Sequence, residues 1–171
     1  IAADWNDCLK LGEKGESLFL GFQLRYAFRT YAEIARALQR AEEESWAEAR
    51  LVELDGNLER AGWNGEWFVR AYREDGQGIG SCEDEDGESR IFLNAQAWAV
   101  LSGFAKGDRA RKILDQVSER LATPFGLMLC SPPYRRVPVE VIRAVVLNPG
   151  HKENAGIFCH PQGWGVMAET L

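Results

Sequence analysis

The chain has 171 residues, 46% of them hydrophobic and 27% charged, with a formal net charge of −6. This is the composition of a soluble globular protein, and no apolar run approaches the ~18 residues that a membrane-spanning helix needs. An acidic balance with scattered Lys and Arg argues against nucleic acid as a partner, because a phosphate backbone demands a basic face.

The first residue is Ile1 rather than Met, and Leu171 falls within a segment read as a helix starting near Gly163. The chain therefore reads as an excerpt with the length of one ordinary domain. Near its start stands the run Trp5-Asn6-Asp7. Next, Leu20, Leu24, Ala27, Tyr31, Ile34, Ala35 and Leu38 recur at three-four spacing, which predicts an amphipathic helix over 16–40. Ser45 with Glu48 three residues later predicts a capping-box start to a second helix, with Leu51, Leu54, Leu58 and Ala61 on its apolar face.

Over 67–72 apolar and polar residues alternate, and Gly76, Gly78 and Gly80 then break the chain. A short β-rich excursion is expected there, with the acidic run 83–88 as a solvated hairpin tip whose offsets do not suit a calcium loop. Helical spacing returns over 94–104 and again over 108–121, where Ala110, Ile113, Leu114, Val117 and Leu121 mark a core-facing stripe. Segments 126–130 and 139–147 suit either short strands or loop edges, separated by Pro132-Pro133. Arg135-Arg136 reads as part of a solvated loop. The stretch 148–163, with Pro149, Gly150, Gly156, Pro161 and Gly163, suits a site loop feeding the last helix. Helix pairs joined by long loops point to a helical toroid rather than a tight-turned bundle.

Cys8, Cys82, Cys130 and Cys159 are far apart, with no CxxC pair and only two histidines. No metal site is expected, and the spacing offers no disulfide framework, so unpaired thiols in a cytoplasmic setting are the expectation.

The chemistry-bearing residues lie at the two ends. Cleaving a glycosidic bond requires a carboxylic acid to protonate the departing oxygen; an indole beside Asp7 would disfavour the carboxylate, and Trp5 could also stack on a sugar's C–H face. The plainer alternative is that Asp4 or Asp7 caps the following turn. Lys152 can donate to sugar hydroxyls, Glu153 can accept from them, and His160 can serve as an anion ligand. A solvated Lys-Glu pair and a satisfied histidine are the alternative there.

Six blocks resemble the cellobiose phosphorylase family, the inverting glycoside phosphorylases of glycoside hydrolase family 94. They are ADWNDCLKLG at 3–12 followed by GES at 15–17, WxxRAY at 67–72, IGS at 79–81, RIFLNAQAWAVLSG at 90–103, LATPFGLML at 121–129 and KENAGIFCH at 152–160. The resemblance implies a mainly α fold, with 1–171 as about the second half of an (α/α)6 catalytic barrel carrying short β-hairpin excursions. A β-sandwich domain, the first barrel helices and a C-terminal β domain would lie outside it. It further implies Asp7 as general acid, Trp5 as sugar-stacking residue, Lys152 and Glu153 as sugar contacts and His160 as phosphate ligand. Ala155 and the run Pro161-Gln162-Gly163 depart from the family's usual KENGG and Ala-Asn-Thr-like residues.

The activity implied is phosphorolysis of a β-linked glucosyl disaccharide, cellobiose or a close relative, to an α-sugar 1-phosphate and free sugar. Inorganic phosphate would be the co-substrate, with no cofactor, and a homodimer is the family's habit. The alternatives are an inverting hydrolase, a phosphorylase of cellobionic acid, chitobiose or laminaribiose, and an inactive sugar-binding fragment. The cyclic glucan synthases share the same blocks.

Overall fold

The computed structural model of the chain describes residues 3–81 and 87–171. Cys82 and residues 83–86 of the expected acidic tip lie outside them. The described part is mainly α. Its five α-helices are α1 (Leu18–Ala37), α2 (Ala41–Gly62), α3 (Leu93–Leu101), α4 (Gly107–Leu121) and α5 (Cys159–Glu169), with two-residue strands between them.

Helices α1 and α2 form an antiparallel hairpin, tied by Arg36 to Glu44 and Glu48 near the turn and by Arg25 to Asp55 farther along. The apolar stripe predicted for α1 is only partly the buried one. Leu18, Phe19, Phe22, Ala32 and Ala35 face inward, whereas Leu24, Tyr31, Ile34 and Leu38 are exposed. Apolar residues surround this helix, so spacing alone admits more than one stripe, and the side bearing Phe19 and Phe22 has the larger area to bury. Nor does α2 start at a Ser45 capping box. It begins at Ala41 behind Arg40, which makes no side-chain cap, and Glu42, Glu43 and Glu44 fill the first turn, where the helix dipole favours negative charge.

Helix α3 is apolar on nearly every side and lies at the centre, packed against α1, α4 and α5. Arg25 and Arg29 from α1 donate to the carbonyl of Ser102 at its C-terminal end. Its Gln96, fully buried, is satisfied by the backbone of Phe68, accepting from N–H at 2.9 Å and donating to C=O at 2.8 Å. Helix α4 buries Ile113, Val117 and Leu121, the stripe its spacing predicts.

Strands β1 (Glu16–Ser17), β2 (Ala71–Tyr72) and β3 (Gly78–Ile79) make an antiparallel sheet in that order, with Ser17 opposite Ala71 and Ala71 opposite Ile79. The alternation expected over 67–72 does not survive. Trp67, Phe68, Val69 and Arg70 are all buried, and only the last two residues of the run form a strand. Strand β4 (Ile91–Phe92) leads into α3 and pairs with β7 (Cys130–Ser131), while β5 (Ala122–Thr123) and β6 (Gly126–Leu127) close a hairpin after α4. In segment 139–147, Ile142 bridges to Leu9, and residues Arg143–Val146 form a 3-10 turn.

Glu88 is not a solvated tip residue, because its carboxylate accepts the backbone N–H groups of Arg136 and Val137. Burial alone would raise that carboxyl, but these donors outweigh it and hold it below the ordinary range. The last helix starts at Cys159, four residues before the expected Gly163, and closes with Thr170 as C-cap.

Candidate active site

The starts of α1, α3 and α5 converge. Ser17 is the N-cap of α1, Asn94 lies in the first turn of α3, and His160 in the first turn of α5. The chain entering α1 and the loop entering α5 meet over them. Each of these starts is the positive end of a helix dipole, which favours negative charge near it.

The foundation is a buried ion pair. Arg70 and Asp4 both have side chains with 0% exposure, joined bidentately at 2.6 and 2.7 Å. Burial would raise the Asp4 carboxyl. Arg70's hydrogen bonds and charge, with donors from the Ser17 hydroxyl and the Asn6 backbone, outweigh burial and keep it below its usual value. Asp4 therefore takes the turn-capping part that the sequence left open between Asp4 and Asp7. Arg70 also donates to the Ser17 hydroxyl at 3.1 Å and to Asn6 Oδ1 at 2.6 Å.

Asn6 is 1% exposed, and its Oδ1 accepts a second hydrogen bond from Asn94 Nδ2 at 3.0 Å. With both donors on the oxygen, the amide nitrogen turns outward and reaches Glu153 Oε2 at 3.2 Å. The same carboxylate oxygen accepts the backbone N–H of Cys8 at 3.1 Å. Glu153 is thus gripped by the residues on either side of Asp7.

Asp7 itself is exposed, and its carboxylate makes no hydrogen bond among the described residues. It lines a groove of about 340 Å³ with Lys10, Arg73, Glu74 and Glu140. The indole of Trp5 joins an aromatic cluster. Its ring centre is 5.2 Å from Phe158, 5.8 Å from Trp164 and 6.2 Å from His160, all edge-on, and the His160 ring stacks on Trp164 at 6.4 Å. His160 is exposed on that platform.

Lys152 is exposed, with φ of 45° on a tight loop that only glycine can close at 156: a Cβ there would meet the Lys152 carbonyl oxygen at 2.5 Å. Ala155 has φ of 61° and is 3% exposed. It adopts the left-handed conformation that glycine takes without cost, which is the physical content of the departure from KENGG. Asn154 ties this loop down, donating to the carbonyls of Tyr134 and Leu147 and accepting the Tyr134 N–H. Gln162, in the second departing run, bonds both N–H and C=O of Leu127 and so fastens α5 to β6.

The structure therefore gathers Trp5 with His160, and the two residues flanking Asp7 with Glu153, across the length of the chain, while the groove that Asp7 itself lines contains none of Trp5, Glu153 and His160. Asn6, Arg70 and Asn94 were not singled out from the sequence for a role of their own, and Asp4 only as a turn cap. Part of the signal was available: Arg70, and Asn94 together with Gln96, are polar residues inside largely apolar runs, WFVRAY and IFLNAQAW, and such residues are buried with partners. A second cavity of about 280 Å³, lined by Arg73, Gln77, Glu88, Tyr134 and Arg136 among others, contains none of the predicted site residues. Among the described residues no group of side chains could hold a metal, and Cys8, Cys130 and Cys159 are free.

Residues 1–171 match the family described as the Glycosyl hydrolase 94 superfamily, catalytic domain, and the chain belongs to that family. It is 36% identical over 175 residues to a solabiose phosphorylase of Paenibacillus borealis, covering 98% of this chain and 22% of that protein. It is 35% identical over 172 residues to an N,N'-diacetylchitobiose phosphorylase of Vibrio furnissii, covering 99% and 21% respectively. A cyclic β-(1,2)-glucan synthase of Rhizobium meliloti is 34% identical over 173 residues, 98% of this chain and 6% of that protein. The chain spans about a fifth of the length of these phosphorylases.

Proposed function

We propose that the full-length protein carrying this chain is an inverting glycoside phosphorylase acting on a β-linked glucosyl disaccharide. The observation that carries this reading is the meeting of the Trp5-Asn6-Asp7 turn with Glu153 and His160 at three helix starts. Asp7 carries an exposed carboxyl on that turn, and the start of α5 that bears His160 suits an anion.

In this scheme a phosphate oxygen attacks the anomeric carbon from the α face while the bond to the leaving oxygen breaks on the β face. Asp7 gives its proton to that oxygen. The products are an α-sugar 1-phosphate and a free sugar, and the carboxylate of Asp7 regains a proton before the next turnover. Trp5 stacks on the sugar, Lys152 and Glu153 contact its hydroxyls, and His160 with the dipole of α5 holds phosphate. Phosphate is already an anionic nucleophile, so no separate base is needed, and the scheme calls for no metal or organic cofactor.

An inverting hydrolase would need a second carboxylate to activate water, and Glu153 is the nearest candidate. Its Oε2 already accepts two hydrogen bonds from Asn6 and Cys8, which suits a fixed sugar contact better than a base that must receive a proton. Relatives are named for solabiose, for N,N'-diacetylchitobiose and for a glucosyl glucuronide, so phosphorolysis is what they share while the sugar varies. Among glucosyl donors, cellobiose or a close relative is our choice. The deciding assay is release of sugar 1-phosphate by the full-length protein from a panel of β-linked disaccharides, with and without phosphate. Product that forms only with phosphate is expected; free glucose released at the same rate without it would overturn the reading.

A further inference from the structure

We infer that Asn6 is a positioning residue for Asp7, an electrostatic clip whose amide orientation is set by Arg70 and Asn94; the inference rests on the acid role proposed for Asp7. An asparagine amide can be turned either way, and only its surroundings decide which end faces where. Here the oxygen receives two buried donors, Arg70 Nη2 at 2.6 Å and Asn94 Nδ2 at 3.0 Å. The reversed amide would point its NH2 at a guanidinium and another NH2, with no acceptor among them. The nitrogen is therefore committed to Glu153, at 3.2 Å.

Glu153 closes the loop by accepting from Cys8 N–H, so the peptide bearing Asp7 is pinned at the residue before and the residue after. The backbone that carries Asp7 is held from both sides, which fixes where its Cβ stands and so the range its carboxyl can reach. A proton donor must lie within hydrogen-bond reach of the leaving oxygen, and a misplacement of about 1 Å costs on the order of a hundredfold.

Asn6→Asp is the discriminating variant. It keeps the shape and the oxygen that Arg70 and Asn94 grip, but replaces the donor aimed at Glu153 with an oxygen that the carboxylate repels. In the full-length protein, turnover should be compared on a disaccharide, whose leaving alcohol needs a proton, and on dinitrophenyl β-glucoside, whose leaving phenolate does not. Asn6→Asp is expected to lower kcat on the disaccharide by about a hundredfold, with kcat on the aryl glucoside within about threefold of the parent. Asn94→Ala, which leaves Arg70 on the oxygen, is expected to give the same selectivity with a loss of about three- to tenfold, and carries the test if Asn6→Asp does not fold.

Equal losses on both substrates, or none, would overturn the clip. Asp7→Asn run alongside separates the two claims. If it spares the aryl glucoside while Asn6→Asp does not, only the clip falls. If Asp7→Asn fails to discriminate, the acid role falls with it.

Discussion

The carboxylate of Glu153 accepts the backbone N–H of Cys8 at 3.1 Å, joining two loops that are 145 residues apart. This contact leaves a mark on a group that can be measured. Burial, then the charge of Glu153 and its hydrogen bond, push the Cys8 thiol up to about 11. At pH 8 only about one Cys8 in a thousand is then thiolate, the reactive form. Iodoacetamide at pH 8 is expected to label Cys159, which is exposed, well before Cys8 or Cys130, the latter also raised to about 11 by complete burial. Glu153→Gln keeps an acceptor for the Cys8 N–H and removes the charge, so Cys8 labelling should speed up roughly threefold or more. Peptide mass mapping against time reads both outcomes; unchanged Cys8 labelling in Glu153→Gln would mean that the two loops do not meet in solution.

The Arg70–Asp4 pair sets a stability prediction. Arg70→Met leaves the Asp4 carboxylate buried without its partner, and the expected loss is about 3–5 kcal/mol, seen as a lowered midpoint in urea. Removing both charges with Arg70→Met and Asp4→Asn together should recover part of that loss, because the cost lies mostly in the orphaned charge.

The same pair predicts a direction with pH. A carboxyl held below its ordinary value when folded contributes stability that is complete above the unfolded value, near 3.9 for Asp, and is lost as pH falls through the lower folded value. Glu88, also held low, acts in the same direction. The melting temperature should therefore be nearly flat from pH 7 to 5 and fall below about pH 4. Asp4→Asn should make that acid fall shallower; an unchanged slope would remove Asp4 from the account.

How much of this could be read in advance follows from where each residue's partners lie. The helix at 107–121 was legible because its apolar residues occupy one face only, and Ile113, Val117 and Leu121 are buried as spaced. Helix α1 misled because Phe19 and Phe22 compete with Leu24 and Ile34, and the winner is decided by α2 and α3, which local spacing does not encode. Trp5, Asp7, Lys152, Glu153 and His160 were singled out by residue type and by the blocks they stand in. The parts that hold them were not: Asn6 matters because Arg70, Asn94 and Glu153 come to it from three remote segments. Spacing along the chain carries no trace of such a meeting, though a polar residue inside an apolar run marks where to look for one.

The place of His160 yields the last prediction. Its ring is roughly parallel to Trp164, with centres 6.4 Å apart, and edge-on to Trp5, and it stands in the first turn of α5, where Pro161 supplies no N–H and the dipole end is positive. If phosphate docks there, the imidazole contributes one charge-assisted hydrogen bond, worth about 1.5–3 kcal/mol. His160→Ala in the full-length protein should then raise KM for phosphate by about ten- to a hundredfold while moving KM for the disaccharide by less than about threefold. His160→Asn, which keeps a donor but not the ring, should fall between. The platform gives the contrary outcome a clear form. If His160 serves only to pack against Trp164 and Trp5, its loss would loosen the sugar-stacking indole, and the disaccharide KM would rise as much as that for phosphate. Initial rates over a grid of both substrate concentrations distinguish the two.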